Sequence, residues 1–256
     1  MTDVALIGAG NMARAFARGW RSGEGGPGEI FICDGGSGRA AKVATETGAV
    51  AIEISGVPEN AACLVLAVKP AALDSVASEL EAFDGTLISL LAGTSLEQLS
   101  GAFPNANCYR VMPNVAVEKR RGVLCLASAP ADQTLDTEIR GYLETLGYVV
   151  EIPESQFDIA TAVMGCSPAY LALVAESLAD AGVRGGLQGE VASRMVAETL
   201  AGTAALLEDR DSLSVRRAVT SPGGSTAAGL AALERGAVRA AFAEAVAASV
   251  AKMRGE

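Results

Sequence analysis

Short apolar runs recur along the first part of the chain, most of them followed by glycine, proline or a polar residue. Continuous runs of four to six apolar residues are typical of strands buried on both faces of a parallel sheet. The predicted strands are 4–7, 30–33, 49–54, 63–68, 86–91 and 108–111, with 123–126 and 148–152 at the edges of the sheet. The predicted helices include 40–47, 71–83, 96–103 and 132–146. This alternation predicts a doubly wound α/β domain.

The pattern changes after Pro153, where the strand-like runs stop. The rest of the chain has the three- to four-residue spacing of amphipathic helices. These helices are predicted at 157–164, 168–181, 187–207, 226–234 and 237–253. The sequence therefore predicts two domains, an α/β domain over 1–153 and an all-α domain over 154–256.

An apolar stripe with small residues beside it runs along the last predicted helix. It consists of Val238, Phe242, Val246 and Val250, flanked by Ala241, Ala245 and Ser249. Because small residues let helices approach closely, we expect the helical domain to pack against a second copy of the chain. A monomeric helical bundle, which would need the same stripe, is the alternative.

The amino-acid composition limits the partners and the catalytic groups that we expect. The formal net charge of −10 argues against nucleic acid or an anionic membrane as partner. The absence of histidine removes the usual general base and the commonest metal ligand, so we expect no metal site. The five cysteines contain no C-x-x-C pair, which fits a reducing cytoplasm. With no signal-peptide pattern, and no purely apolar segment near the ~20 residues that span a bilayer, we expect a soluble cytoplasmic protein.

A glycine-rich loop follows the first predicted strand directly and opens a helix. Its sequence, Gly8-Ala9-Gly10-Asn11-Met12-Ala13, has the order of a Rossmann dinucleotide-binding fingerprint. Gly8 would make the tight turn and Gly10 would let the backbone approach a pyrophosphate. Ala13 replaces the third glycine, where helix and strand pack. We expect a dinucleotide site here; a purely structural turn is the alternative.

The end of the second predicted strand bears on the choice of cofactor. Asp34 is placed to accept hydrogen bonds from an adenine ribose, which would favour NADH. Ser37, Arg39 and Lys42 follow it and could instead hold the 2′-phosphate of NADPH. Arg39 and Lys42 also fit a solvated helix face. The sequence therefore leaves NADH and NADPH both open.

Two further residues come just after predicted strands, at the edge of a parallel sheet where ligands bind. Lys69, after the strand 63–68, is placed to meet cofactor or substrate and is a candidate catalytic residue. Asn114 follows Pro113, and a proline there is expected to stop the ladder and expose Asn114 in the crevice.

The stretch 219–230 in the helical domain combines a turn with the start of a helix. Pro222 presets a turn, Gly223 and Gly224 permit positive φ, and Ser225 or Thr226 is a good N-cap. Unpaired backbone N–H groups and the positive end of the helix would then point at one place, which suits a carboxylate or phosphate. A capped turn that binds nothing is the alternative.

Four segments together resemble the pyrroline-5-carboxylate reductase family. They are 67–70 (Ala-Val-Lys-Pro), 110–114 (Arg-Val-Met-Pro-Asn), 168–187, which begins Pro-Ala-Tyr, and 221–226 (Ser-Pro-Gly-Gly-Ser-Thr). The likeness extends from Val4 to about Met253, and the last segment is its most specific part. It implies an N-terminal Rossmann domain followed by an all-α dimerisation domain, with some members assembling dimers into larger rings. The implied reaction is the reduction of 1-pyrroline-5-carboxylate, a cyclic imino acid, to L-proline by NAD(P)H, the last step of proline biosynthesis.

The resemblance also implies roles for individual residues. Those at the cofactor would be Gly8, Gly10, Asn11, Met12, Ala67, Lys69, Pro70, Met112 and Asn114. Those holding the substrate carboxylate would be Gly223, Gly224, Ser225 and Thr226, in a site shared with the partner subunit. The Thr226 hydroxyl is a candidate to hydrogen-bond the ring nitrogen and assist protonation. Tyr170 offers a second hydroxyl, although its apolar surroundings favour packing.

The sequence departs from the family pattern at two places. Cys166-Ser167 stands where the family usually has serine-glycine, and Val115-Ala116 stands where threonine-proline follows the asparagine. Ser167 adds a side chain where glycine let backbones approach, so it is a candidate substrate contact, and a different cyclic imine is an alternative substrate.

Two other classes of function stay open. A 3-hydroxyacid dehydrogenase relative would need a catalytic lysine in the helical domain, yet residues 156–251 contain none. A non-enzymatic dimer that senses dinucleotide would bind the cofactor without turning it over.

Overall fold

The computed structural model describes residues 2–128 and 133–256. It divides into two compact units between Gly165 and Cys166, and each unit is described by itself. The division falls after the predicted boundary at 153 because Phe157 is buried with Met112 and Cys125 of the sheet. The boundary between functional domains at 153 stays a prediction.

The first unit is built on one eight-stranded sheet in the order β3-β2-β1-β4-β5-β6-β7-β8. The strands are β1 Val4–Ile7, β2 Ile30–Cys33, β3 Val50–Ala51, β4 Cys63–Leu66, β5 Thr86–Ser89, β6 Asn107–Pro113, β7 Gly122–Ser128 and β8 Gly147–Glu151. All neighbouring strands are parallel except the pair β6 and β7. The predicted Rossmann sheet is confirmed, and its strand order reverses between β1 and β4, where such folds bind ligands.

Burial on both faces explains why the strands appear as continuous apolar runs. Val4 and Leu6 of β1 enter the core on one face of the sheet, whereas Ala5 and Ile7 enter the core on the other. The helices that cover the two faces are α1 Asn11–Arg21, α2 Arg39–Thr47, α3 Val57–Asn60, α4 Leu73–Glu79, α5 Leu96–Ala102, α6 Gln133–Glu144 and α7 Phe157–Ala160.

Several predicted elements differ from the structure in extent. The extended piece 49–54 is a strand only at Val50–Ala51, and the helix 71–83 is regular only over Leu73–Glu79. The segment 123–126 is not an edge strand, because β7 lies between β6 and β8. Asp132, the predicted start of α6, lies outside the described residues.

The second unit consists of five helices in residues 166–256. They are α8 Ser167–Arg184, α9 Gly189–Asp209, α10 Ser212–Ala218, α11 Ser225–Arg235 and α12 Val238–Arg254. The all-α prediction is confirmed. The sequence reasoning missed α10, a short helix whose N-terminus is capped by Asp211 through a hydrogen bond from the Ser214 amide.

The helical unit has almost no core of its own. Ala192 is its one buried residue. Several large apolar side chains are more than half exposed, among them Leu171, Leu173, Leu178, Met195 and Leu233. The predicted apolar stripe of α12 and its flanking residues differ in their surroundings. Phe242 is 42% exposed, whereas Ser249 contacts α8. An exposed apolar surface of this extent is typical of an interaction site.

One continuous helical stretch, 154–184, is long and apolar enough by length and composition to cross a membrane. The sequence reasoning did not find it because it considered only uninterrupted apolar runs.

Candidate functional site

The loop after β1 brings the ends of three neighbouring strands together at Gly8. Its N–H donates to the Cys33 carbonyl at 2.8 Å, and its φ is +114°. A Cβ at this position would lie 2.6 Å from the carbonyl oxygen of Ala67. The turn therefore requires glycine, as the fingerprint predicts.

Gly10 is glycine for a different reason. It is the N-cap of α1 with an ordinary φ of −82° and no side-chain cap, and a Cβ there would meet no atom within 4 Å. The first N–H groups of α1, beginning with Asn11 and Met12, have no intrahelical acceptor. Open space in front of an uncapped helix N-terminus fits the pyrophosphate of a dinucleotide.

Asp34 braces the loop that follows β2. Its two carboxylate oxygens accept hydrogen bonds from the Gly36, Ser37, Arg39 and Ala40 amides and from the Ser37 hydroxyl. The Ser37 hydroxyl bond contributes most to holding the pKa of Asp34 below its usual value. An ionised carboxylate has about four acceptor sites, so the chain's own donors already fill them. The predicted bond from Asp34 to a ribose stays untested.

Ser37 and Arg39 stand at the exposed start of α2. The Arg39 Nε donates to the Ser37 Oγ at 2.9 Å, and the Ser37 hydroxyl donates to Asp34 Oδ2 at 2.6 Å. This chain of bonds holds a guanidinium beside the N-terminus of a helix, an arrangement suited to a phosphate.

A cleft of about 450 Å³ opens between the ends of β2 and β4. Gly8 and Asp34 line it together with Cys33, Val68 and Val76. Burial raises the pKa of the Cys33 thiol to about 12, so this side chain is neutral at physiological pH and forms an inert apolar surface. The structure thus places Gly8 and Asp34 in one cleft, whereas Ser37, Arg39 and Lys42 do not line it.

Lys69 and Pro70 follow the end of β4. Lys69 is exposed, and its carbonyl accepts from the Ala72 amide as a short 3₁₀ turn begins at Pro70. The position at the carboxyl edge of the sheet agrees with the sequence reasoning. A catalytic role for Lys69 stays a prediction.

As predicted, β6 ends at Pro113, which forms the last pair of the antiparallel ladder with Leu124. The prediction that Asn114 is exposed is wrong, because only 9% of Asn114 is exposed. A proline is tolerated here because an antiparallel pair alternates bonded and non-bonded positions. Met112 is also buried, packed with Phe157. Cofactor binding by Met112 and Asn114 stays a prediction.

The Asn114 side chain joins three segments instead. Its Nδ2 donates to the Met164 carbonyl at 3.1 Å, and its Oδ1 accepts from the Ala116 and Val123 amides. Met164 belongs to a short π-helix, Thr161–Gly165, and such segments are frequent at functional sites.

In the helical unit, the segment from Ser221 to Thr226 forms a turn at the start of α11. Gly223 has φ +70°, consistent with the predicted turn. The predicted N-cap is wrong: Gly224 is the N-cap without a side-chain bond, and Ser225 and Thr226 are the first helical residues. A Cβ at Gly224 would lie 2.5 Å from the Ser221 Oγ, a side-chain atom that can move, and 3.2 Å from the Ser221 carbonyl oxygen, so the fit at this position is tight. The amides of 225–227 have no intrahelical acceptor and are available to an anion.

Ser167 begins α8 and is partly exposed. Tyr170, one turn later, joins α8 to α12, with its hydroxyl 2.6 Å from the Ser249 Oγ. This contact supports packing as the role of Tyr170.

The sequence reasoning missed an ion pair beside the site. Arg110 Nη1 lies 2.8 Å from Glu154 Oε1, and the guanidinium lies 4.3 Å from the centre of the Phe157 ring. The same Glu154 oxygen accepts from the Leu96 amide. An arginine inside an apolar strand was the available signal, because a buried charge needs a partner.

Comparisons with known proteins agree with this two-part arrangement. The family model for pyrroline-5-carboxylate reductase dimerisation matches residues 154–255, and the model for NADP oxidoreductase, coenzyme F420-dependent, matches residues 3–93. A pyrroline-5-carboxylate reductase of Mycobacterium leprae is 33% identical, covering 100% of this chain and 96% of that protein. One of Thermus thermophilus is 42% identical over 72% of this chain and 71% of its own length.

Solved structures extend the likeness to the fold. The 1-pyrroline-5-carboxylate reductase of Streptococcus pyogenes has a TM-score of 0.87 at 28% identity, covering 100% of this chain and 99% of its own. The Plasmodium falciparum pyrroline carboxylate reductase with NADP bound has a TM-score of 0.88 at 27% identity, covering 99% and 97%. On the strength of relatives matched over their whole length, this chain belongs to the pyrroline-5-carboxylate reductase family.

Proposed function

We propose that this protein reduces 1-pyrroline-5-carboxylate to L-proline with NADPH or NADH. The observation that carries the proposal is the match over the whole chain to relatives named for this activity. The open, uncapped N-terminus of α1 supports it, because it fits the pyrophosphate of the cofactor.

A bound reduced nicotinamide supplies the hydride for this chemistry. The chain's part is to hold and orient the imine. The free amides at the start of α11 grip the substrate carboxylate, and each such charge-assisted bond contributes about 1.5–3 kcal/mol. The Thr226 hydroxyl bonds the ring nitrogen. No histidine is needed, because a cyclic imine can take its proton from water.

The same proposal includes a homodimer in the cytoplasm. The match to a dimerisation model over 154–255 and the scarcity of buried residues in the helical unit both support it. In this dimer, a second copy covers the apolar surface of 154–184. This is the stretch that is long and apolar enough to cross a membrane. A higher oligomer of dimers, as in the ring-forming members of the family, is the alternative assembly, and the mass in solution distinguishes the two.

The deciding assay measures loss of reduced-nicotinamide absorbance with 1-pyrroline-5-carboxylate, run with NADPH and with NADH, and identifies the product as proline. A pyrroline without the carboxylate serves as control and should react far more slowly, because the anion-binding amides then have no ligand. Absence of turnover with both cofactors would contradict the proposal.

The departure at Ser167 favours one second candidate, a related cyclic imino acid of different ring size. The six-membered homologue of the substrate tests it in the same assay. A higher kcat/KM for that homologue would replace the proposed substrate while leaving the reaction type.

A further inference from the structure

The cleft beside Gly8 holds two carboxylates that the proposed reaction does not use. Its walls are apolar, formed by Cys33, Ile54, Val68 and Val76, and its volume is about 450 Å³. Cys33 is 1% exposed at the end of β2. Glu53 and Glu79 complete the lining.

Glu79 reaches the cleft from the helical side. Ala72, Ser75, Val76 and Glu79 all line it, at the spacing that places residues on one face of a helix. Ala72, Ser75 and Val76 come earlier along this face, and Glu79 places its carboxylate at the C-terminal end of α4.

Glu53 reaches the cleft from the other side. It follows β3, which pairs with β2, whereas α4 follows β4, and the strand order places β2 and β4 on either side of β1. Burial is the main cause of the raised pKa of Cys33, and the negative charges of Asp34, Glu79 and Glu53 raise it further. All three carboxylates therefore act on the same cleft.

These carboxylates differ in whether they can still accept hydrogen bonds from a ligand. Asp34 is filled by donors of its own loop. Glu53 and Glu79 are exposed, and within 2–128 and 133–256 no hydrogen-bond donor or cation of the chain is paired with either. Two free acceptors thus flank an apolar slot next to a dinucleotide-binding loop.

We propose that Glu53 and Glu79 select adenine as the base of the dinucleotide, by accepting hydrogen bonds from its exocyclic amino group while the apolar walls hold the ring. The inference rests on the proposed function for the presence of a dinucleotide. Adenine carries a donor at this position, whereas hypoxanthine carries a carbonyl oxygen that a carboxylate repels. A site built to hydrogen-bond a donor rejects the analogue that lacks it, most strongly where the acceptors are buried.

The test is equilibrium binding of NADH and of reduced nicotinamide hypoxanthine dinucleotide to the full-length protein, followed by nicotinamide fluorescence without any imine. These ligands differ only in the base, so the 2′-phosphate plays no part. We expect roughly tenfold weaker binding of the hypoxanthine form, which corresponds to about 1.4 kcal/mol. Equal dissociation constants would overturn the inference and leave the proposed function standing.

Glu53→Gln and Glu79→Gln locate the effect. A glutamine amide can donate to the hypoxanthine carbonyl, so the preference for adenine should fall several-fold in at least one variant. Glu81→Gln, an exposed residue outside the cleft lining, makes the same charge change and should keep the preference. An unchanged preference in both cleft variants would overturn the assignment to these residues.

The binding experiment separates this inference from the proposed function. Selective binding of NADH without turnover of 1-pyrroline-5-carboxylate would support the adenine site and contradict the reductase. Failure to bind either dinucleotide would overturn the adenine site.

Discussion

At the residue scale, Gly8 and Gly10 are glycines for opposite reasons. Gly8 has a left-handed φ and a backbone carbonyl 2.6 Å from where a Cβ would stand. Gly10 has an ordinary φ and empty space at that position. The fold therefore requires glycine at Gly8, whereas at Gly10 we expect the requirement to come from the ligand.

Alanine at each position should separate these two requirements. Gly8→Ala should destabilise the protein by about 1–3 kcal/mol, because a non-glycine residue is strained there. Gly10→Ala should change the free energy of unfolding by less than about 0.5 kcal/mol yet weaken dinucleotide binding at least roughly tenfold, since its methyl group fills the pyrophosphate space. Urea unfolding and fluorescence titration measure the two effects. Normal dinucleotide binding by Gly10→Ala would refute this role.

Arg39 is expected to distinguish the two cofactors. Its guanidinium stands at the start of α2, held through Ser37 by the Asp34 carboxylate. Arg39→Gln should raise the dissociation constant for NADPH roughly tenfold and leave that for NADH nearly unchanged, because only NADPH has a 2′-phosphate. Lys42→Gln, on the same helix, is the matched control. A larger effect in the lysine variant would move the role to Lys42.

Thr226 carries the proposed bond to the ring nitrogen. It is exposed at the first turn of α11 and is not the N-cap, so its hydroxyl has no capping duty. Thr226→Ala should lower kcat/KM roughly a hundredfold or more, from the lower end of a general acid–base contribution upward. Thr226→Ser keeps the hydroxyl and should keep most of the activity. Full kcat/KM in the alanine variant would rule out this role.

At the element scale, Asn114 ties the end of β6 to the turn after it and to the π-helix Thr161–Gly165. Because the side-chain amide is buried, removing it would leave each of its partners without a hydrogen bond, and water would not replace it. Elements of the first unit are held together here by one side chain.

Replacing Asn114 should therefore cost stability. Asn114→Ala should lower the free energy of unfolding by about 2–4 kcal/mol, since it orphans the Met164 carbonyl and two amides. Asn114→Asp keeps both acceptor bonds but sets a buried carboxylate oxygen against the Met164 carbonyl, so it should also lose stability, and less at acidic pH, where the protonated acid can donate to that carbonyl. Chemical unfolding compares the two variants. Equal stability of Asn114→Ala and the unaltered protein would show that water replaces the amide.

Elements with a local cause were predictable from the sequence. The strand Val4–Ile7 and the loop at Gly8 and Gly10 follow from apolar runs and glycine geometry. The burial of Asn114 and the pairing of Pro113 did not, because both depend on the antiparallel pairing of β6 with β7, which no local pattern indicates. Asp34 lies directly after β2, where the sequence predicts it, but its engagement by its own loop is a property of the folded turn.

At the scale of the whole molecule, the two units differ in how far they bury their own side chains. The sheet unit has extensive cores on both faces, whereas Ala192 is the single buried residue of the helical unit. Stability should therefore depend on self-association, and the melting temperature should rise with protein concentration.

A charge on the exposed apolar surface tests this dependence. Leu173 on α8 is 63% exposed, and Leu173→Asp should weaken the dimer strongly, because a buried unpaired carboxylate is costly. Tyr148→Asp, on β8 at the edge of the sheet and 67% exposed, is the control. Sedimentation velocity should show monomers only for the Leu173 variant. Unchanged association would place the contact on other helices.

The scarcity of buried residues in the helical unit also affects when each unit can bury its apolar side chains during synthesis. Residues of the sheet unit leave the ribosome first and can bury their apolar side chains while synthesis continues. The helices are made last, and in the proposed dimer their apolar faces stay in water until a second chain arrives. When little protein is being made this wait is long, so newly made chains should be most vulnerable to proteases and aggregation at low expression, and chaperones that hold apolar helices should matter most then.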